Sequence, residues 1–89
     1  MKKVEIYTKS YCPYCRRAKE LLRIKGIEFI DHDVTADPAR EQEMRARSGR
    51  TTVPEIFVDD QLIGGCDDLF ELDERGELDR LLGLSARPE

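Results

Sequence analysis

Apolar and polar residues alternate from the first few positions. Val4-Glu5-Ile6-Tyr7-Thr8 has the period of two expected of a strand. The period then changes. Tyr14, Ala18, Leu21 and Leu22 recur at helical spacing, Pro13 suits a first helical turn that needs no N–H, and Gly26 suits the C-terminal cap. Residues 27–34, with Phe29 and Ile30 apolar, predict a second strand. Asp37-Pro38 reads as an N-cap followed by proline at the first helical position, and that helix ends near Gly49. Its apolar stripe is thin, mainly Ala39 and Met44, so it is expected to be largely exposed. Thr52-Val53-Pro54 precedes a third strand over 55–58, Asp59-Asp60-Gln61 turns into a fourth at Leu62-Ile63, and Gly64-Gly65 breaks it. A helix from Asp67-Asp68 to about Arg75 follows, and Leu78, Leu81 and Leu82 mark one or two further helical turns. Residues 85–89 read as a frayed tail.

The expected order is β-α-β-α-β-β-α with a short helical end. A strand–helix–strand unit implies parallel pairing through a right-handed crossover, and the Asp59-Asp60 turn implies an antiparallel hairpin. The result is an α/β domain: one small mixed four-stranded sheet with helices on both faces, spanning 1–84. No repeat, linker or low-complexity segment interrupts it.

Composition narrows the function. Of the 89 residues, 39% are hydrophobic and 38% charged, which describes a soluble globule with a modest core. A net charge of −4 argues against nucleic acid and anionic membrane as main partners. No apolar run is long enough to cross a bilayer, and Met1-Lys2-Lys3 leads straight into a strand pattern rather than a signal peptide. Three cysteines suit a reducing cytoplasm and thiols used for chemistry better than a disulfide framework.

Two of those cysteines stand in Cys12-Pro13-Tyr14-Cys15, between the first strand and the first helix. By itself a C-x-x-C pair is half a zinc site, part of an iron–sulfur site or a redox dithiol. Structural zinc takes four protein ligands, and the remaining candidates here, Cys66 and His32, are isolated. A helix N-terminus offers free N–H groups and the positive end of the dipole, which favour a thiolate on the first sulfur. The second thiol, one turn on, can close a disulfide on whatever the first has attacked. His32, between Asp31 and Asp33, reads as a surface residue without a catalytic role. Arg16, Arg17 and Lys19 read as a solvated helix face that also raises the local potential, with Arg45, Arg47 and Arg50 adding to that field.

Tyr7-Thr8-Lys9, Cys12-Pro13-Tyr14-Cys15, Thr52-Val53-Pro54 and Gly64-Gly65-Cys66-Asp67-Asp68 occur in the order and spacing of the glutaredoxins, and the chain resembles that family's bacterial dithiol type over nearly its whole length. The resemblance implies a thioredoxin-like fold and a glutathione-dependent thiol–disulfide oxidoreductase. Cys12 would be the nucleophile and Cys15 the more buried resolving thiol. On residue preferences alone Val53-Pro54 would be trans; the family instead has a cis-proline facing the thiols, with Val53 pairing the ligand backbone as an added strand would.

The same resemblance assigns a glutathione site to Lys9, Tyr14, Arg50, Thr52, Val53, Pro54, Gly65, Cys66, Asp67 and Asp68. The γ-glutamyl carboxylate would meet backbone N–H groups near Asp67 and Asp68, its ammonium an Asp side chain, and the glycine carboxylate Lys9 with help from Arg50; Tyr14 would flank the site. Each has an ordinary alternative: Arg50 a solvated loop arginine, the Gly64–Asp68 segment a turn and helix cap, Cys66 either a small buried residue or a modifiable thiol. No tightly bound cofactor or metal is expected, glutathione being the reducing cosubstrate. Disulfide-containing or glutathionylated proteins would be the partners of a cytoplasmic monomer, ribonucleotide reductase being one family example. Glutathione reductase would act only indirectly, through glutathione disulfide. Two rivals share the fold: a redoxin reduced by thioredoxin reductase, against which Lys9, Tyr14 and Gly64–Asp68 argue, and a [2Fe–2S] carrier, against which Pro13 and Cys15 argue.

Overall fold

The computed structural model describes residues 2–83. Strand β1 (Val4–Thr8) is followed by helix α1 (Pro13–Ile24), β2 (Ile30–Asp33), α2 (Pro38–Ser48), β3 (Glu55–Val58), β4 (Gln61–Gly64), α3 (Cys66–Glu74) and the short α4 (Glu77–Leu81). The tail expected at 85–89 lies outside the described residues.

The strands lie in the order β2-β1-β3-β4. β1 and β2 are parallel, with Glu5 opposite Ile30, because α1 carries the chain back across the sheet between them. β1–β3 and β3–β4 are antiparallel. Asp59 and Asp60 close the β3–β4 hairpin, both with positive φ, as a tight hairpin turn requires. Asp59 is held there by Lys3, whose N–H donates to its carboxylate and whose carbonyl accepts its N–H, each at 2.8 Å.

The pleat sends alternate residues of the central strands to opposite faces. Ile6, Ile56 and Val58 pack with Ala18, Leu22, Leu69 and Leu78 under α1, α3 and α4, while Tyr7 and Phe57 meet Met44 of α2 on the other side. Covered on both faces, β1 is buried throughout, Glu5 and Thr8 included. Glu5 therefore needs partners: the Arg47 guanidinium grips it at 3.0 and 3.3 Å while stacking over Phe57, and the His32 ring lies 3.1 Å from it. This revises two expectations. Arg47 is committed to the interior face of α2 rather than to a surface field, and His32 is largely covered, packed against the Tyr7 ring.

The second strand is shorter than its apolar run. The Ile27 N–H closes the end of α1 on the Leu22 carbonyl, and Gly26 at φ +72° makes that reversal possible. Ile27 and Phe29 are apolar because they pack against the core under this turn, not because they pair in the sheet. In α2 only Met44 is buried, and Ala39 is exposed.

Candidate active site

Cys12 is the N-cap residue of α1, in extended conformation ahead of Pro13. Its N–H donates to the Lys9 carbonyl at 3.2 Å, which turns the chain out of β1. Its Sγ accepts the Cys15 N–H at 3.1 Å, a role usually taken by a hydroxyl or carboxylate oxygen. The two thiols sit differently. Cys12 keeps 8% of its surface exposed and Cys15 only 1%. Burial, helped by the neighbouring Cys12, pushes the Cys15 thiol up to about 12, so it stays protonated at neutral pH. Cys12, with a helix N-terminus behind its sulfur, is the one placed to attack. Both sulfurs are free thiols here. Tyr11, just before the motif, and Tyr14, within it, both stand exposed. Of the nearby cations, Lys19 is paired with Asp31 at 2.8 Å and Arg17 lies over the Phe70 ring.

An open cleft of about 210 Å³ lies between Tyr14, the Thr52–Pro54 loop and the N-terminus of α3. Tyr14, Arg50, Thr52, Val53, Pro54, Gly65, Cys66, Asp67 and Asp68 line it. The Val53–Pro54 bond is cis, and the Val53 carbonyl lies 3.9 Å from Cys12 Sγ. At the far end Gly65 is the N-cap of α3, and its own N–H donates to the Asp68 carboxylate at 3.0 Å. That leaves the first backbone donors of α3 facing the cleft without intrahelical partners. Gly64 is required beside them: it holds φ +118°, and a Cβ there would overlap the Asp68 carboxylate. Cys66 is buried, and burial raises its thiol above the ordinary range.

Nine of the ten residues assigned to a ligand by resemblance thus converge on one cleft. Lys9 is the exception: it does not line the cleft, and its ammonium lies 3.9 Å from Glu41. One lining residue was missed. Glu55, the first residue of β3, lies in the cleft wall with its side chain 1% exposed. The signal was an acid next to a proline at the head of an otherwise apolar strand, which periodicity alone reads as a strand end. Among the described residues no cluster of three or more potential metal ligands occurs, and no helix is long and apolar enough to cross a membrane.

Comparison with known proteins agrees with this geometry. The glutaredoxin family model matches residues 4–63. The chain is 60% identical to glutaredoxin 3 of Escherichia coli K12 over 82 residues, 92% of this chain and 99% of that one. The solution structure of glutaredoxin from Brucella melitensis superimposes with a TM-score of 0.78 at 49% identity, covering 94% of each chain. The crystal structure of the buckwheat glutaredoxin–glutathione complex superimposes with a TM-score of 0.83 at 28% identity, covering 92% of this chain and 77% of that one. The four-stranded mixed sheet between helices is the thioredoxin-like fold of these structures.

Proposed function

The chain belongs to the glutaredoxin family, and from that premise we infer how its thiols and its cleft work together. It is a glutathione-dependent thiol–disulfide oxidoreductase that reduces protein disulfides and protein–glutathione mixed disulfides through the Cys12/Cys15 pair. In the proposed cycle the Cys12 thiolate attacks the glutathione sulfur of a protein–glutathione disulfide. The protein thiol leaves, and glutathione stays on Cys12 as a mixed disulfide. A second glutathione thiolate attacks that sulfur, giving glutathione disulfide and restoring Cys12. With a protein disulfide, Cys12 forms a mixed disulfide with the substrate, and Cys15 displaces the second substrate thiol as Cys12–Cys15 closes. Two glutathiones then reopen that bond.

The observation that carries this reading is the position of Cys12 Sγ, on the N-terminus of α1 and 3.9 Å from the carbonyl that precedes a cis-proline. A glutathionyl group on Cys12 would extend along the cleft. We assign its cysteine backbone to Val53, its γ-glutamyl carboxylate to the N–H groups of Asp67 and Asp68, its ammonium to an Asp carboxylate, and its glycine carboxylate to Arg50 with Lys9. The charge arrangement supports this: backbone donors and acids lie at the start of α3, and the Arg50 guanidinium lies in the cleft wall between Glu55 and Asp68. The compartment we propose is the cytoplasm and the working unit a monomer, with disulfide-bonded or glutathionylated proteins as substrates, ribonucleotide reductase among the candidates.

The test is reduction of a small glutathione mixed disulfide, coupled through glutathione reductase to NADPH oxidation. Wild type and Cys15→Ser should turn over and Cys12→Ser should not. Reduction that needs thioredoxin reductase in place of glutathione would overturn the cleft assignment while leaving the thiol chemistry intact.

A further inference from the structure

Glu55 is a buried carboxylate with one oxygen unaccounted for. Its Oε2 accepts the Thr52 hydroxyl at 2.9 Å, while Oε1, shut off from solvent, has no hydrogen-bond partner. A buried acid is ordinarily bonded at both oxygens or firmly paired. Here the nearest cation, Arg50 Nη1, stops 3.7 Å from Oε1, and the same nitrogen lies 4.0 Å from the Asp68 carboxylate. Neither approach is a hydrogen bond. The Arg50 guanidinium is half exposed and hangs between two acids in the cleft wall.

We propose that Glu55 is a proton-linked positioning residue of this cleft: with Asp68 it holds Arg50 ready for a ligand carboxylate, and it takes up a proton when that carboxylate draws Arg50 away. This rests on the reading of the cleft as a glutathione site. A guanidinium pairs best with a carboxylate that it can meet on two N–H donors at once. An incoming carboxylate offers that geometry, and Glu55 at 3.7 Å does not. Once Arg50 turns to the ligand, Oε1 is left as a buried charge with no cation. A proton from solvent settles on it and removes the charge.

The surroundings of Glu55 offer no substitute. Its register partner on β1, Tyr7, uses its hydroxyl on Glu43 and Arg47 of α2. Arg47 itself is taken by Glu5 and Asp60, and His32 of β2 lies on Glu5. From α3 the facing charge is Asp68, which repels. Among the described residues Arg50 is therefore the one cation within ion-pair distance of Glu55. Burial already raises the proton affinity of Glu55; Thr52 and Arg50 oppose that, and Asp68 adds to it. Loss of Arg50 moves the balance the same way as burial. Affinity for the ligand should then be highest at acid pH, where Glu55 is already neutral, and should fall as pH rises through its titration, by about tenfold for each pK unit that separates the bound and free states.

The experiment is calorimetric titration with S-methylglutathione, whose sulfur carries no titrating proton, in buffers of different ionisation enthalpy between pH 5 and 8. Wild type should take up protons on binding and bind several-fold more weakly at pH 8 than at pH 5. Glu55→Gln keeps the shape and the acceptor for Thr52, so it should bind about as tightly at pH 8 as at pH 5, with proton uptake lowered. Groups other than residue 55 are common to both proteins and cancel in the comparison. A carbon-13 titration of the Glu55 carboxyl group in wild type, with and without ligand, should show its midpoint moving up on binding, and needs no variant to fold. Binding with an unmoved Glu55 midpoint and the same proton count in both proteins overturns this proposal and leaves the cleft assignment standing. Failure of wild type to bind S-methylglutathione overturns both.

Discussion

The Cys15 backbone N–H points at Cys12 Sγ from 3.1 Å, so the sulfur proposed to attack is also the cap of the helix that carries the second thiol. Chemistry and helix stability therefore meet in one atom and can be separated by substitution. Serine is a good N-cap and alanine a poor one. Cys12→Ser should abolish turnover while holding the chemical denaturation midpoint near that of wild type. Cys12→Ala should be equally inactive and also lose about 1 kcal/mol, the usual cost of a lost cap. Equal stability of the two variants would show that the sulfur does not cap α1.

Cys15 makes the reduced protein sensitive to alkali. Its folded-state value of about 12 lies above the ordinary value of 9.0, so between those limits the unfolded chain releases a proton that the folded chain keeps. The stabilisation is complete below pH 9 and is lost as pH rises toward 12. At pH 10.5 reduced wild type should have lost roughly 1–2 kcal/mol that Cys15→Ser does not lose, read as the difference between their urea midpoints at pH 7 and 10.5.

Arg47 and Glu5 hold α2 on the sheet. Burial by itself would raise the Glu5 carboxyl, but the hydrogen bonds from Arg47 and His32 outweigh it and hold Glu5 below its usual range. Its stabilising contribution is thus present above the ordinary carboxylate value and lost as pH falls through the folded one. Arg47→Met leaves Glu5 buried without its main partner and should cost about 3 kcal/mol at pH 7, with the deficit shrinking below pH 4. A deficit that stays constant with pH would assign the loss to packing over Phe57 instead of to charge.

Gly64→Ala should act on binding before chemistry. The added methyl group meets the Asp68 carboxylate that caps α3, and the residue must keep a positive φ. A KM for glutathione raised several-fold, with the reactivity of Cys12 toward iodoacetamide unchanged, is the expected pattern. Loss of iodoacetamide reactivity would mean that the damage reaches α1.

Arg50 and Lys9 compete for the same assignment. Arg50 lines the cleft; Lys9 lies outside it beside Glu41. Arg50→Met should therefore raise the KM for glutathione by more than Lys9→Met does, and added salt should narrow the gap. The reverse order would move the glycine carboxylate to Lys9.

Much of this was legible in the chain, because the strongest signals are local. Alternation in Val4–Thr8, the short apolar run of Glu55–Val58, the spacing of Ala18, Leu21 and Leu22, and the Asp37-Pro38 and Gly49 boundaries depend on neighbours within a turn or a pleat. They place the C-x-x-C pair at a helix start, and with too few further ligands for a zinc site that favours redox chemistry over half a metal site. Where the reading failed, distant partners decided. Ile27 and Phe29 are apolar to cover a helix end, not to pair in a sheet. His32 and Arg47 look like surface residues until Glu5, buried because β1 is covered on both faces, draws them in. Glu55 reads as a polar strand end, yet the meeting of β3, the loop before it and the start of α3 makes it a buried acid with one free oxygen. Chain order determined which elements form and where the thiols stand. Packing alone decided which charges lose their water, because desolvation depends on everything that surrounds a group and not on the residues beside it in sequence.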